Sequence, residues 1–373
     1  MEKHLHIVCL DVPYPVDYGG VFDLFYKITA LDEKGIQIHL HCFEYGRGQQ
    51  SELEKYCTEV YYYPRKKGHK GISNTLPYIV SSRINDALTA RLLKDDYPIL
   101  MEGIHCSYLL LNPAFSNRRV YLRIHNVEYR YYNQLASSTH NLVKKLYYHH
   151  ESTLLKKYEK RIANKAVLLT VSGTDSVIYR SEFDATSIHD LPVFLPFKEI
   201  SSPTGVGCFC LYHGNLSVPE NEKAACFLLK EVFNDLSIPF VIAGKTPSRK
   251  LERLAHQQKN TCLVANPSWN EMQDMISKAQ INIIPSFNST GIKLKLINVL
   301  FNGRHCVVNE ATVAGSGLEA TCHIGLTATA MKNILIQLYH QPFSEEEITL
   351  RKNILEPIFN NNRNAEQLIT WIW

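Results

Sequence analysis

Long hydrophobic runs are missing from this 373-residue chain. No apolar stretch approaches the roughly 20 residues that cross a bilayer, so a membrane-spanning protein is not expected. The start, Met1-Glu2-Lys3-His4, leads straight into a strand pattern, with none of the features of a signal peptide. An excess of one charge is also missing. Lys and Arg number 40 against 36 Asp and Glu, a net +4 that is too mild to imply a nucleic-acid partner. There is no low-complexity segment and no fixed-period repeat. Ten cysteines occur (Cys9, Cys42, Cys57, Cys106, Cys208, Cys210, Cys226, Cys262, Cys306 and Cys322), yet none forms a C-x-x-C pair. Most lie within apolar runs, so buried free thiols in a reducing cytoplasm are expected rather than disulfides or a zinc site.

What is present is a globular composition, 45% apolar and 20% charged. The length suits two domains better than one core. Leu5–Leu10 reads as a buried strand, followed by a Pro/Gly loop from Asp11 to Gly20 and a helix that Gly35 stops. That strand–loop–helix unit opens a doubly wound α/β domain, in which ligands sit beyond the carboxyl ends of strands. Gly19 and Gly20 at the helix start let backbone approach a ligand closely, although many turns use a Gly pair. Strands follow at 36–43, 60–63, 99–103 and 120–124, with a short helix around Ser51 to Tyr56. The strand ending near Ile124 delivers His125, Asn126 and Glu128 together at its tip, a placement suited to polar chemistry or to packing of a loop.

Two stretches are basic. Arg65-Lys66-Lys67-Gly68-His69-Lys70 is a loop. Tyr129 to Lys165, free of Gly and Pro, reads as one long or twice-broken helix bearing Lys144, Lys145, Lys156, Lys157, Lys160 and Arg161. Each is either a solvated surface or a contact for an anionic membrane face. After a strand at 167–172, Thr174-Asp175 can cap the next helix. The Pro/Gly/Ser-rich segment 191–207 is a linker, and strand–helix alternation then starts over with strands at 208–212, 240–243, 261–264, 281–284 and 305–308. The expected division is 1–195, 196–355, and a C-terminal helix 356–373 packing back on the first domain. The alternation predicts parallel sheets with right-handed crossovers, twice.

The stretch from Ile283 to Gly303 carries the sharpest signal. A strand ends at Pro285, a Ser/Asn/Thr/Gly loop follows, and a helix with Leu294, Ile297 and Phe301 inward runs to Gly303. Gly291, Lys295, Asn298 and Asn302 share its other side. A helix start beginning near Gly291, with Lys293 and Lys295 beside it, has the chemistry that a diphosphate needs. The alternative is an ordinary crossover helix with a solvated polar side.

Taken in order, these pieces resemble glycosyltransferase family 4. Pro15-x-x-x-Gly19-Gly20 is similar to that family's first loop. Arg123-Ile124-His125-Asn126-Val127-Glu128 with Tyr131-Tyr132, then Tyr158-Glu159 and Val171-Ser172-x-x-Asp175, resemble a bacterial polysaccharide subgroup. Gly214-Asn215-Leu216 with Pro219-x-Asn221, Val241 to Gly244, and Gly291 to Leu296 with Gly303 match its second half. The resemblance implies an α/β protein with two Rossmann-like domains facing across a cleft (GT-B). It also implies retaining, metal-independent transfer of a sugar from a nucleotide-sugar donor to a glycan or lipid-linked acceptor. No cofactor beyond that donor and no metal are implied, and the lack of an Asp-x-Asp motif agrees. The setting would be cytoplasmic, with peripheral contact to the inner membrane surface allowed; the oligomeric state is left open.

Carried over residue by residue, Gly20 would approach the diphosphate and His125 the donor sugar. Lys295, with the Gly291 helix start, would neutralise the leaving diphosphate, where charge grows as the glycosidic bond breaks. Gly19, Gly214, Asn215, Lys245, Asn266, Thr290, Gly291, Lys293 and Asn298 would line the donor, with the Ala265-Asn266-Pro267 turn near the base. Two positions depart from the pattern. Thr290 and Asn298 stand where the family usually has two Glu residues. The basic residue expected after Gly214 is replaced by Asn215 and Leu216, leaving Lys245 or Lys293 as substitutes. These departures motivate an alternative, a weakly active or inactive GT-B protein that binds a nucleotide sugar or a partner enzyme. A nucleotide-sugar epimerase ranks last, since Glu128 is its one candidate for moving a proton.

Overall fold

The computed structural model describes every residue except Met1, Asp17, Tyr18, Tyr45 and His140, so the Asp17-Tyr18 part of the first loop lies outside the described residues. The chain divides into two compact units: 1–196 together with 359–373, and 197–358.

The first unit holds seven strands: β1 (His4–Cys9), β2 (Gln37–Glu44), β3 (Glu59–Pro64), β4 (Ile99–Glu102), β5 (Val120–Ile124), β6 (Val167–Thr170) and β7 (Ile188–Asp190). They lie in the order β3-β2-β1-β4-β5-β6-β7, every pair parallel. Alternation along the strands feeds a core on each face of the sheet. Val8, Met101 and Leu122 belong to one, and Ile7, Leu100 and Tyr121 to the other. Each such side chain contributes about 1.5–3 kcal/mol by leaving water. The C-terminal helix Asn361–Ile372 buries Ala365, Leu368 and Ile372 in the second of these cores, spaced as one helical face. Tyr121 fixes it by donating its hydroxyl to the Trp371 carbonyl at 2.5 Å.

The second unit has six parallel strands: β8 (Cys210–Asn215), β9 (Phe240–Lys245), β10 (Thr261–Ala265), β11 (Ile281–Ile284), β12 (His305–Val308) and β13 (His323–Ile324). Their order is β10-β9-β8-β11-β12-β13. In both sheets the winding direction reverses once, between β1 and β4 and between β8 and β11. Those reversals are where an open α/β sheet leaves room for a ligand at the strands' carboxyl ends.

Several local expectations need correction. The basic region is broken once, into helices Glu128–Ser138 and Leu142–Ile162. Asn141 starts the second by accepting the Lys144 amide at 3.0 Å, so a polar side chain at the break competes successfully with a continuous helix. The helix after β6 spans Gly173–Phe183 with Ser172 at its N-cap position, while Asp175 is buried in its first turn and does not cap it. The helix after β8 spans Pro219–Phe227 and widens into a π turn at Leu228–Val232. The Ser51–Lys55 segment is a 3-10 turn. The helix expected from Gly291 begins at Leu294; Gly291 instead takes a φ of +62°, a left-handed conformation that ends any helical path through it. Among the described residues all ten cysteines are free thiols, six of them buried.

Candidate active site

In the second unit the reversal between β8 and β11 gathers polar groups from three segments. The first is the end of β8, carrying Tyr212 and His213. The second is the helix Pro219–Phe227, with Glu220 and Asn221 in its first turn. The third is the loop after β11 leading into the helix Leu294–Asn302. The Ser286 hydroxyl donates to Glu220 Oε1 at 2.9 Å and ties the third segment to the second. Asn221 donates to the Asn215 carbonyl at 2.9 Å, and the Tyr212 hydroxyl donates to the Asn221 carbonyl at 3.0 Å.

Lys295 reaches into this frame. Its ammonium donates to Asn221 Oδ1 at 3.0 Å and to the Tyr212 hydroxyl at 3.5 Å, and it lies 5.0 Å from the centre of the Tyr212 ring. Among the described residues no carboxylate comes within ion-pair distance of it. Desolvation pulls Lys295 down to about 8, opposed by the more distant Glu220 and reinforced by Lys293. A largely desolvated cation whose hydrogen-bond partners are both neutral is electrostatically uncompensated. Beside it, His213 is buried and its Nε2 has no hydrogen-bond partner. Burial and the Lys295 charge push its imidazole down to about 3, so it is neutral and can serve a ligand as donor or acceptor. The first turn of the Leu294–Asn302 helix contains no acidic residue, and its N-cap residue, Lys293, offers it no side-chain hydrogen bond.

The other expected donor residues are distributed as follows. Lys293 spends its ammonium on the Thr290 carbonyl at 2.5 Å. Thr290 is buried, and both its amide and its hydroxyl donate to Asn288 Oδ1 at 2.8 Å. Asn298 is buried, with its Oδ1 taken by the Asn302 amide at 2.8 Å. Gly214, Asn215 and Lys245 are neighbours at the carboxyl ends of β8 and β9, where Asn215 pairs with Lys245 in register. The closeness of these strands explains Gly244, since a Cβ there would meet the Gly214 carbonyl oxygen at 1.9 Å. Asn266 has a φ of +53° and accepts the Thr246 amide at 2.8 Å, closing the turn beyond β10.

In the first unit a buried charge network lies at the reversal between β1 and β4. Lys27, on the helix Gly19–Asp32, bridges Asp23 Oδ2 at 2.9 Å and Glu102 Oε1 at 2.8 Å. Arg123 grips Asp23 with Nε at 3.0 Å and Nη2 at 3.1 Å, and also donates to the carbonyls of Leu191 and Pro192. The remaining Glu102 oxygen faces His125 Nε2 at 3.4 Å. Burial works to raise the Asp23 and Glu102 carboxyls. The Arg123 and Lys27 charges hold Asp23 well below its usual range, and Lys27 with His125 lowers Glu102. Gly19 and Gly20 are the first two residues of the helix that carries Asp23 and Lys27.

The loop holding His125 is set from behind. Glu159, fully buried, accepts the Glu128 amide at 2.9 Å and the Tyr129 amide at 3.0 Å, which satisfies two free N–H groups at the start of the Glu128–Ser138 helix, while burial pushes its own carboxyl up to about 8. Tyr179 donates its hydroxyl to the same carboxyl at 2.8 Å. Burial, with Asp175 nearby, pushes Glu128 up to about 7. Sequence reasoning singled out Gly20, His125 and Lys295, and named Arg123 only as part of a motif. It missed Asp23, Lys27, Glu102 and His213 as site residues, because Asp23 and Lys27 sit in an otherwise apolar helix and Glu102 closes an apolar strand.

No family model matches the chain. It is similar to an uncharacterized 44.6 kDa protein in the cps region of Klebsiella pneumoniae, 27% identical over 328 residues, which is 83% of this chain and 84% of that one. Sucrose-phosphate synthase from Thermosynechococcus elongatus superposes with a TM-score of 0.73 at 14% identity, covering 99% of this chain and 98% of that one. An Anabaena protein solved with UDP and glucose gives 0.67 at 9% identity, covering 100% and 99%. Together with the strand orders, these likenesses give this chain the GT-B fold of glycosyltransferases.

Proposed function

We propose that the protein is a glycosyltransferase that moves a sugar from a nucleotide-sugar donor to a glycan or lipid-linked acceptor. The observation that carries this reading is the desolvated Lys295 ammonium, held by Asn221 and Tyr212 without a counter-anion beside a helix start. A donor diphosphate supplies the missing charge, and Lys295 stabilises it further as the glycosidic bond breaks and negative charge accumulates on the leaving group. The fold, shared with a sugar-phosphate synthase and with a protein that holds UDP, supports the same reading. In the first unit His125 offers a hydrogen-bonding ring to a sugar hydroxyl, steadied by Glu102. The family 4 likeness adds retention of anomeric configuration and independence from a bound metal. The test is incubation of the purified chain with a panel of nucleotide sugars: slow release of free nucleoside diphosphate is expected, and none with any donor counts against the assignment.

One observation favours a second reading. Thr290 and Asn298 are buried and already bonded to Asn288 and Asn302, and neither provides a carboxylate to the donor. A protein that binds a nucleotide sugar without turning it over would show saturable binding in calorimetry and no released nucleotide.

The peripheral membrane contact belongs to the same proposal. Leu142, Val143 and Leu146 at the start of the Leu142–Ile162 helix are 75%, 76% and 73% exposed, flanked by exposed Lys144 and Lys145. The basic loop is close by: Arg65 stacks 5.5 Å from the Tyr78 ring, and Tyr78 donates its amide to Glu151 of that helix at 2.7 Å. Ile72, at the end of this loop, is 68% exposed. Apolar tips ringed by cations fit an anionic bilayer surface, each cation adding about 1 kcal/mol. Co-sedimentation with anionic but not zwitterionic vesicles is expected, and it should disappear in Leu142→Ser/Leu146→Ser.

No helix among the described residues is long and apolar enough to cross a membrane.

A further inference from the structure

Away from both reversals, the second unit brings two histidines and a glutamate together. His305 begins β12, His323 begins the edge strand β13, and Glu347 lies in the first turn of the helix Glu345–Ile358. One ligand atom from each falls within 4.8 Å of the others. His305 Nδ1 is 3.2 Å from Glu347 Oε1, and His323 Nε2 is 4.0 Å from the same oxygen.

The hydrogen bonds around the cluster determine what it lacks. His305 Nε2 is 3.0 Å from the Gln341 carbonyl, which can only accept, so Nε2 carries the ring proton. In the neutral ring Nδ1 therefore presents a lone pair. That nitrogen is buried, has no hydrogen-bond partner and faces a carboxylate oxygen, which is also an acceptor. Glu347 is equally fixed, because its other oxygen accepts the Ser344 amide at 3.0 Å in a capping box. Two acceptors are thus held toward one point by backbone partners on their far sides, the arrangement that orients metal ligands from outside. What would complete it is a cation.

We propose that His305, His323 and Glu347 bind a divalent transition-metal ion of the zinc type. Imidazole nitrogens and a carboxylate oxygen are the ligands such ions take at about 2.0–2.2 Å, which places neighbouring ligand atoms about 3.3 Å apart. The His305–Glu347 separation already matches, and a small rotation of the half-exposed His323 ring closes the longer gap. His323 and Glu347 reach solvent, so an ion has a way in and a water can fill the fourth position. Nearby Arg351 does not take the vacant role: its guanidinium is consumed by Ser202 Oγ and by the carbonyls of Leu300, Gly303 and Arg304. The ion would clamp the edge strand β13 and the start of β12 to the Glu345–Ile358 helix, a structural role independent of sugar transfer.

The full chain, stripped of metal by dialysis against a chelator, is titrated with zinc chloride. One equivalent should bind, with a melting midpoint raised on the order of 3–4 °C at a hundredfold excess over Kd. Cobalt(II) should give the visible absorption of a four- or five-coordinate site. His323→Ala removes a ligand from an edge position, and Glu347→Gln keeps the capping box while losing the charge; each should weaken zinc at least about tenfold. His256→Ala, at an exposed histidine elsewhere in the unit, should leave binding unchanged. Three results would overturn the proposal: no zinc-dependent shift, a shift that survives in His323→Ala/Glu347→Gln, or a midpoint that responds to pH alone. The last would mean that a proton on His305, and not a metal, fills the gap.

Discussion

Replacing Lys295 with alanine probes the donor site at its most exposed assumption. The ammonium has two neutral partners, Asn221 and Tyr212, so its removal leaves no buried anion unpaired and should perturb folding little. A bound diphosphate would lose a charge-assisted hydrogen bond worth about 1.5–3 kcal/mol, roughly a ten- to hundredfold rise in Kd. Isothermal titration with a panel of nucleoside diphosphates measures it. The pH dependence sharpens the test. Because Lys295 titrates near 8, its charge is present below that pH and fades above it. Wild-type affinity should therefore fall as pH rises from 7 through 9. Lys295→Arg, always charged, should flatten that fall. An unchanged Kd in Lys295→Ala, or a wild-type affinity indifferent to pH across this window, would refute the argument that this cation awaits a phosphate.

Three further expectations follow from the first unit. His125→Ala should lower turnover more than donor binding, and an equal loss of both in steady-state kinetics would reduce His125 to a packing residue. Lys27→Met strands Asp23 and Glu102 beside each other without their shared cation; urea unfolding should show a loss of about 3–5 kcal/mol, whereas a change under 1 kcal/mol would mean the network is not strongly coupled. Glu128 titrates near 7 when folded and close to the ordinary glutamate value when unfolded, so the folded state holds the extra proton between these limits. Its contribution is complete below about pH 4.5 and is lost as pH rises through 7, at most about 3 kcal/mol. Glu128→Gln should flatten the decline of the melting midpoint across that range.

Much of this architecture was readable because most of the strands are short apolar runs ended by polar or turn-forming residues. The two reversals follow from restarting that alternation after the 191–207 linker. Lys295 and His125 stood out as polar residues at places where the pattern required ligands to lie. The rest depended on tertiary placement. Nothing local distinguishes Lys27 within Phe22–Ala30 from a residue reaching solvent, and its burial comes from Glu102, 75 positions away. Gly291 looked like a helix start because glycine is silent about backbone sign, and only the left-handed turn shows that the helix waits for Leu294. The brief strands β7 and β13, three and two residues long, carry too little pattern to be seen at all.

The most direct test of the donor assignment is a crystal structure of the chain soaked with the nucleoside diphosphate that binds most tightly in the titration panel. The account predicts a phosphate oxygen within hydrogen-bonding distance of Lys295 Nζ and close to the first-turn amides of the Leu294–Asn302 helix. A diphosphate bound elsewhere, with Lys295 still resting only on Asn221 and Tyr212, would contradict it.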